Sequence, residues 1–264
     1  MFASLIVLLI VGIFTVPKAH GHGEIQEIMQ NEVLHETRKV SLFGLMDVNP
    51  GLISAFTVSG LLILFALVVR IFFVPRFKKI PGRFQLLLEE AVGMFDRLAK
   101  SNSPHKNHFI GAYIFTAGAY IFVSTIFELL GIQVMNTMGT SQTLPAPLAD
   151  INGAIAMGVL SYGVILGGGL VVNGFKGAFH ALKDFSLPIS MSFRIFGAML
   201  SGALVTELVY HYFALSFVLP VIVGVLFTLI HAVVQAYVLT MLTALFYGEC
   251  TEPHEKKHKS KEKK

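Results

Sequence analysis

Between residues 51 and 247 the chain contains five apolar runs, at 51–74, 108–131, 151–172, 190–212 and 220–247. An α-helix needs about 20 mostly apolar residues to cross the ~30 Å hydrocarbon core of a bilayer. In lipid every backbone N–H and C=O must find a partner within its own segment, so runs of this length become helices. The sequence therefore reads as an all-α polytopic membrane protein with five transmembrane helices. With 54% hydrophobic and 14% charged residues, it has too little polar surface to cover a soluble globule of this size. A single cysteine, Cys250, excludes an intrachain disulfide framework. Trp is absent, so Tyr and Phe must supply any interfacial belt. The basic residues lie in short loops and a tail, which is not a nucleic-acid footprint.

Residues 1–21 have two readings. The short apolar core followed by Pro17, Lys18 and Ala19-His20-Gly21 resembles a signal-peptide cleavage site, but no Lys or Arg precedes the apolar core. The alternative is a retained N-terminal membrane helix. Residues 22–49 are polar and slightly acidic and read as an external segment. His20, His22 and His35 lack the tight spacing of metal ligands, and no metal or cofactor is expected. Residues 50–248 form the transmembrane domain. Within it, 84–103 places Leu87, Leu88, Ala91, Val92, Met94, Phe95 and Leu98 among Glu89, Glu90, Asp96, Arg97 and Lys100. That pattern predicts an amphipathic helix on the membrane surface rather than a span. Loops are expected at 132–150 and 173–187, a turn at 213–219, and a charged tail at 249–264.

Orientation follows from the basic residues. The loop after the first span holds Arg76, Lys78, Lys79, Arg83, Arg97, Lys100 and Lys106. Lys176 and Lys183 follow the third span, and six lysines from Lys256 to Lys264 lie in the tail. The loops after spans two and four hold none. The basic side is thus cytoplasmic, residues 22–49 are outside, and the C-terminus is inside.

Against this background Arg194 stands out. An ionisable group at membrane depth is costly and usually faces a bundle interior or a water-filled path. Arg194 is expected about seven residues, roughly 10 Å, from the cytoplasmic start of its span. Gly197, Ala198, Ser201 and Gly202 follow it, small residues that let another helix approach closely. Gln235 on the last span can reach the level of Arg194, with His231 one turn outward on the same face. Glu207 lies thirteen residues beyond Arg194, nearer the outside. Glu128 ends the second span, and Asp150 and Asn152 begin the third. This outer trail of Glu128, Glu207 and His231, leading toward Gln235 and Arg194, suits an ion path. Each also has a structural reading: Glu128 and Glu207 as interfacial residues, His231 as a helix–helix contact, Gln235 as a support for Arg194. Arg194 has no obvious carboxylate partner in the chain, which points to one on another subunit.

Two motifs carry a resemblance. Ser190-Met-Ser-Phe-Arg194-Ile-Phe-Gly197, with Gln235-Ala-Tyr-Val-Leu-Thr-Met-Leu-Thr through Tyr247, resembles the two signature helices of subunit a of F-type ATP synthase. Ala149-Asp150-Ile151-Asn152 is similar to that family's ADxN, and the likeness runs from about residue 50 to 247. It implies a non-catalytic ion-translocating stator of the bacterial inner membrane, passing H⁺ or Na⁺. The implied partners are a c-ring of small two-helix subunits, against which the last two long spans pack, b-type peripheral-stalk subunits and the F1 sector. Arg194 would face the ring over Gly197, Ala198, Ser201 and Gly202. Gln235 would be its neighbour. Glu128 would line an outer half-channel, with Thr125, Asp150 and Asn152 as further lining. The chain departs from the pattern at Ala198, where Asn is usual, and at Ala203, where many members carry Glu or His. Glu207 and His231 are therefore assigned by depth and chemistry, not by motif. A secondary transporter would show internal repeats around broken helices, and none is evident. A membrane scaffold would leave Arg194 and the polar trail without a purpose.

Overall fold

The structure is a computed structural model that describes residues 40–42, 46–104, 107–135, 141–183, 185–211 and 219–252. The segment 1–39, the 213–219 turn up to residue 218 and the tail from 253 lie outside the described residues. Among the described residues seven α-helices carry the fold: α1 (Pro50–Val68), α2 (Arg83–Asn102), α3 (Asn107–Phe127), α4 (Ile151–Asn173), α5 (Phe175–Lys183), α6 (Ser186–His211) and α7 (Leu219–Thr251). Two small antiparallel hairpins accompany them: β1 (Val40–Leu42) with β2 (Met46–Val48), and β3 (Gln133–Met135) with β4 (Ser141–Thr143). The second hairpin occupies part of the expected 132–150 loop.

Four stretches among the described residues are long and apolar enough to cross a membrane: Pro50–Arg76, Phe109–Leu130, Ile151–Asn173 and Gly224–Thr251. They answer to the first, second, third and fifth predicted spans. The remaining predicted span, 190–212, is the 26-residue helix α6, which carries Arg194 and Glu207.

Contacts at the helix ends fix which termini share a face. Asn49 Nδ2 donates to Asp150 Oδ2 at 3.1 Å, so α1 and α4 start together. At the opposite end, Asn173 Nδ2 donates to the carbonyls of Cys250 and Glu252, both at 2.9 Å, so α4 and α7 finish together. Gly248 packs on the Asn102 carbonyl, which brings the α2–α3 junction to that same end. Lys100, in the last turn of α2, and Lys176, in the first turn of α5, lie at these ends.

Lipid gives apolar helices little reason to prefer one another, so association rests on close packing. The centre is a cluster of Ala117, Ile121, Leu148, Ala154, Met157, Met191, Ile195, Ala236 and Leu239, drawn from α3, the short turn before α4, α4, α6 and α7. Glycines allow the approach: Gly158 lies on Ser192 and the Pro188 carbonyl, and Gly168 lies on the Tyr247 ring. A second cluster, including Ala99, Ile110, Ile165 and Tyr247, joins the last turn of α2 to the bundle. The helix expected over 84–103 is α2, to within one residue at each end. Its first turns leave Phe84, Leu86 and Leu87 exposed, while Phe95 packs edge-on against Phe115 at 5.6 Å.

The expected loop at 173–187 is corrected. Gly174, at φ +60°, ends α4 and turns the chain back into α5. Phe175, Ala178, Phe179 and Leu182 recur at helical spacing, and the Tyr162 hydroxyl donates to the Ala181 carbonyl at 3.1 Å. Helix α5 thus retraces α4 and delivers the chain to the start of α6 about halfway along it.

Candidate functional site

Helix α6 begins beside Tyr162, whose ring meets Phe185 edge-on at 6.5 Å. It then buries Pro188, Met191, Ser192 and Ile195 against α4 and the central cluster. Those positions define one stripe (i, i+3, i+4, i+7), and the opposite side of the helix is left open. Ser190, Arg194, Gly197 and Ser201 are exposed on that side, and among the described residues no atom beyond the local backbone lies within 4 Å of a Cβ built on Gly197. Arg194 therefore points away from the bundle across small side chains. Ala198 is half-buried. Gly202 turns toward α7, where a Cβ would meet the Phe227 ring at 3.2 Å.

The same contact sets the α6–α7 register. Arg194 is eight residues before Gly202, and Gln235 is eight residues after Phe227. In antiparallel helices of equal rise these two steps cancel, so Arg194 and Gln235 share a level. Gln235 is 7% exposed, and among the described residues its Oε1 has no hydrogen-bond partner. A buried carbonyl oxygen without a donor is costly and favours a donor group arriving at that level. Among the described residues the ion pairs are Arg97–Glu90 and Lys100–Asp96, so neither engages Arg194.

Because α5 has already climbed along α4, Arg194 stands higher than its distance from the start of a span suggested. Ser192 packs on Gly158, and Ile195 shares a cluster with Leu148 and Ala154. These place Arg194 beside the first third of α4.

The outer residues divide. His231 is half-buried, its Nδ1 lies 3.0 Å from the Phe227 carbonyl, and its ring stacks on Phe227 at 4.1 Å. Glu128 opens a short 3-10 turn at the end of α3, closed by Gly131 at φ +57°. Thr125 is buried and donates to the Ile121 carbonyl at 2.8 Å. Asp150 caps α4 by accepting from the Asn152 backbone N–H at 3.1 Å, and Asn152 itself is exposed. Glu207 belongs to α6, but its side chain lies outside the described residues. Phe227, which supports both Gly202 and His231, carried no signal in an apolar run of similar residues.

Residues 55–248 match the model of the family described as ATP synthase A chain. The chain belongs to that family. Individual members are distant: "ATP synthase subunit a" of Haemophilus ducreyi is 26% identical, covering 69% of this chain and 84% of that protein. "ATP synthase subunit a 2" of Vibrio campbellii is also 26% identical, over 67% of this chain and 79% of that protein. The match to the ATP synthase A chain family runs from the second turn of α1 to Gly248 near the end of α7. It includes every candidate residue named above.

Proposed function

We propose that this chain is the non-catalytic stator ion-channel subunit of a rotary F-type ATP synthase in a bacterial inner membrane, with its C-terminus cytoplasmic. It presents two half-channels to a c-ring and is held by b-type stalk subunits beneath an F1 sector. The observation that carries this reading is Arg194, exposed on a small-residue face and level with buried Gln235.

An ion enters from the outside past Glu128, Glu207 and His231, loads a carboxylate on the ring, and leaves on the inner side after almost a full turn. The guanidinium remains charged at any working pH. At about 4 Å and an effective dielectric of ~20 it attracts a carboxylate by ~4 kcal/mol before desolvation. That attraction lowers the carboxylate's pKa, or its hold on Na⁺, and drives release. The same charge repels a cation moving directly between the channels. The exposed Gly197 and Ser201 let a ring helix pass close by. The break between α5 and α6, with Lys183 exposed halfway along α4, supports an inner aqueous path, because irregular backbone at membrane depth is tolerated inside protein or beside water. Each unit charge crossing the membrane carries ~2.3 kcal/mol per 100 mV.

The test is Arg194→Ala, measured as ATP-driven ion pumping in inverted membrane vesicles, with subunit content checked by immunoblot. Pumping is expected to be abolished with the subunit still inserted, and normal coupled synthesis would overturn the mechanism. Glu207→Gln is expected to slow ion entry, and unchanged flux would remove Glu207 from the path.

A further inference from the structure

The elbow between α1 and α2 carries charge that the ion path does not use. Arg76, Lys78, Lys79 and Arg83 fall within eight residues, and all four are exposed. No Asp or Glu occurs between Val48 and Leu88. The first carboxylates of α2 are engaged elsewhere, since Glu89 accepts from Gln85 at 2.7 Å and Glu90 pairs with Arg97. The elbow is nevertheless fixed. The Gln85 side chain clamps the Lys78 backbone in both directions, Nε2 donating to its carbonyl at 2.9 Å and Oε1 accepting from its N–H at 3.1 Å. Phe73 and Phe84 close the base with ring centroids 4.7 Å apart. The result is a hollow of about 480 Å³ that brings Arg76, Lys78 and Arg83 together with Phe73, Phe77 and Phe84. Ile80 stands 87% exposed at its edge.

We propose that this elbow binds the headgroup of an anionic phospholipid, phosphate among the cations and acyl chains along the aromatic base. Charge complementarity selects this occupant. Unpaired cations beside exposed apolar side chains, at the end of a membrane-crossing helix, match a lipid that is anionic at its head and apolar below. Free phosphate would satisfy only the cations. A zwitterionic lipid brings its own headgroup cation, which offsets its phosphate and is repelled by the four basic side chains. Lys and Arg near an anionic bilayer surface each strengthen binding about fivefold.

The test uses the full-length chain in non-ionic detergent, titrated with phosphatidylglycerol or phosphatidylcholine in mixed micelles, with retained lipid counted by native mass spectrometry. Phosphatidylglycerol is expected to bind at least tenfold tighter, and millimolar inorganic phosphate is expected not to displace it. The R76Q/K78Q/K79Q/R83Q variant should lose the preference. The charge-preserving R76K/K78R/K79R/R83K variant should keep it, which separates charge loss from misfolding. K176Q/K183Q, two exposed cations of α5 away from the elbow, should also keep it. Equal binding of the two lipids would overturn the proposal, as would a preference that survives loss of the four charges or is lost equally in K176Q/K183Q. Displacement by free phosphate, or tighter binding of an acidic peptide at the elbow, would do the same.

Discussion

Gly158 offers a direct test of how tightly Arg194 is positioned. A Cβ at residue 158 would lie 2.8 Å from the Pro188 carbonyl oxygen and would overlap Ser192 Oγ. The hydroxyl can rotate, but the carbonyl belongs to α6 itself. To reach ordinary contact at 3.4 Å, that turn must retreat by about 0.6 Å, and Arg194 sits only two residues beyond Ser192. Overpacking of this kind costs about 1–3 kcal/mol. Alanine in place of glycine returns about 1 kcal/mol of helix propensity, so Gly158→Ala should destabilise the chain by roughly 0–2 kcal/mol. The functional effect should be larger. A 1 Å misplacement of a reacting group can cost about a hundredfold, so a shift of this size predicts roughly a tenfold fall in ATP-driven pumping. Gly163, in the same helix, has nothing within 4 Å of its Cβ position. Gly163→Ala should leave pumping unchanged and raise stability by about 0.5–1 kcal/mol. The assay is pumping in inverted vesicles normalised to assembled complex, alongside thermal unfolding in detergent. Equal pumping by the two variants would refute the claim that the α4–α6 contact sets the position of Arg194.

Other expectations follow from the helix ends. Asn173→Ala removes two hydrogen bonds, to the carbonyls of Cys250 in α7 and of Glu252 just after it, and at about 0.5–1.5 kcal/mol each should cost about 1–3 kcal/mol, read by thermal unfolding and by faster proteolysis near residue 250. Asp150→Ala removes the α4 cap and the tie to Asn49, with an expected loss of about 1–2 kcal/mol. Asp150→Asn keeps a capping oxygen and should recover most of it.

Much of the architecture is legible because lipid imposes a simple condition on an apolar run. Helix α2 was equally readable, since Glu89, Glu90, Asp96 and Arg97 interrupt its apolar positions at helical spacing. Helix α5 was not. At nine residues it is shorter than any hydropathy window, and its Gly, Lys and His content resembles a loop until Tyr162 and Gly169 supply its packing surface. Arg194 could be found from sequence because charge at membrane depth needs a reason. Its outward direction was legible too, because Gly197 and Ser201 share its face, but the level at which it stands required the structure, since nothing in the sequence showed that α5 climbs along α4 first. Gly202 shows the limit most clearly. Its spacing from Arg194 suggested the same smooth face, yet only the position of Phe227 reveals that it serves the contact with α7.

The doubling-back of α5 along α4 also constrains the order in which this protein can be made. A nine-residue helix is about 14 Å long and cannot leave the insertion machinery as a spanning segment. The break before Ser186 would be stranded in lipid without Tyr162 of α4, on which Phe185 rests. Helix α4 must therefore already be in the bilayer when α5 emerges, and α5 must settle on it before α6 can be released sideways. Nascent chains stalled with α5 just outside the ribosome should hold α4 close to the exit gate, waiting for the helix that follows.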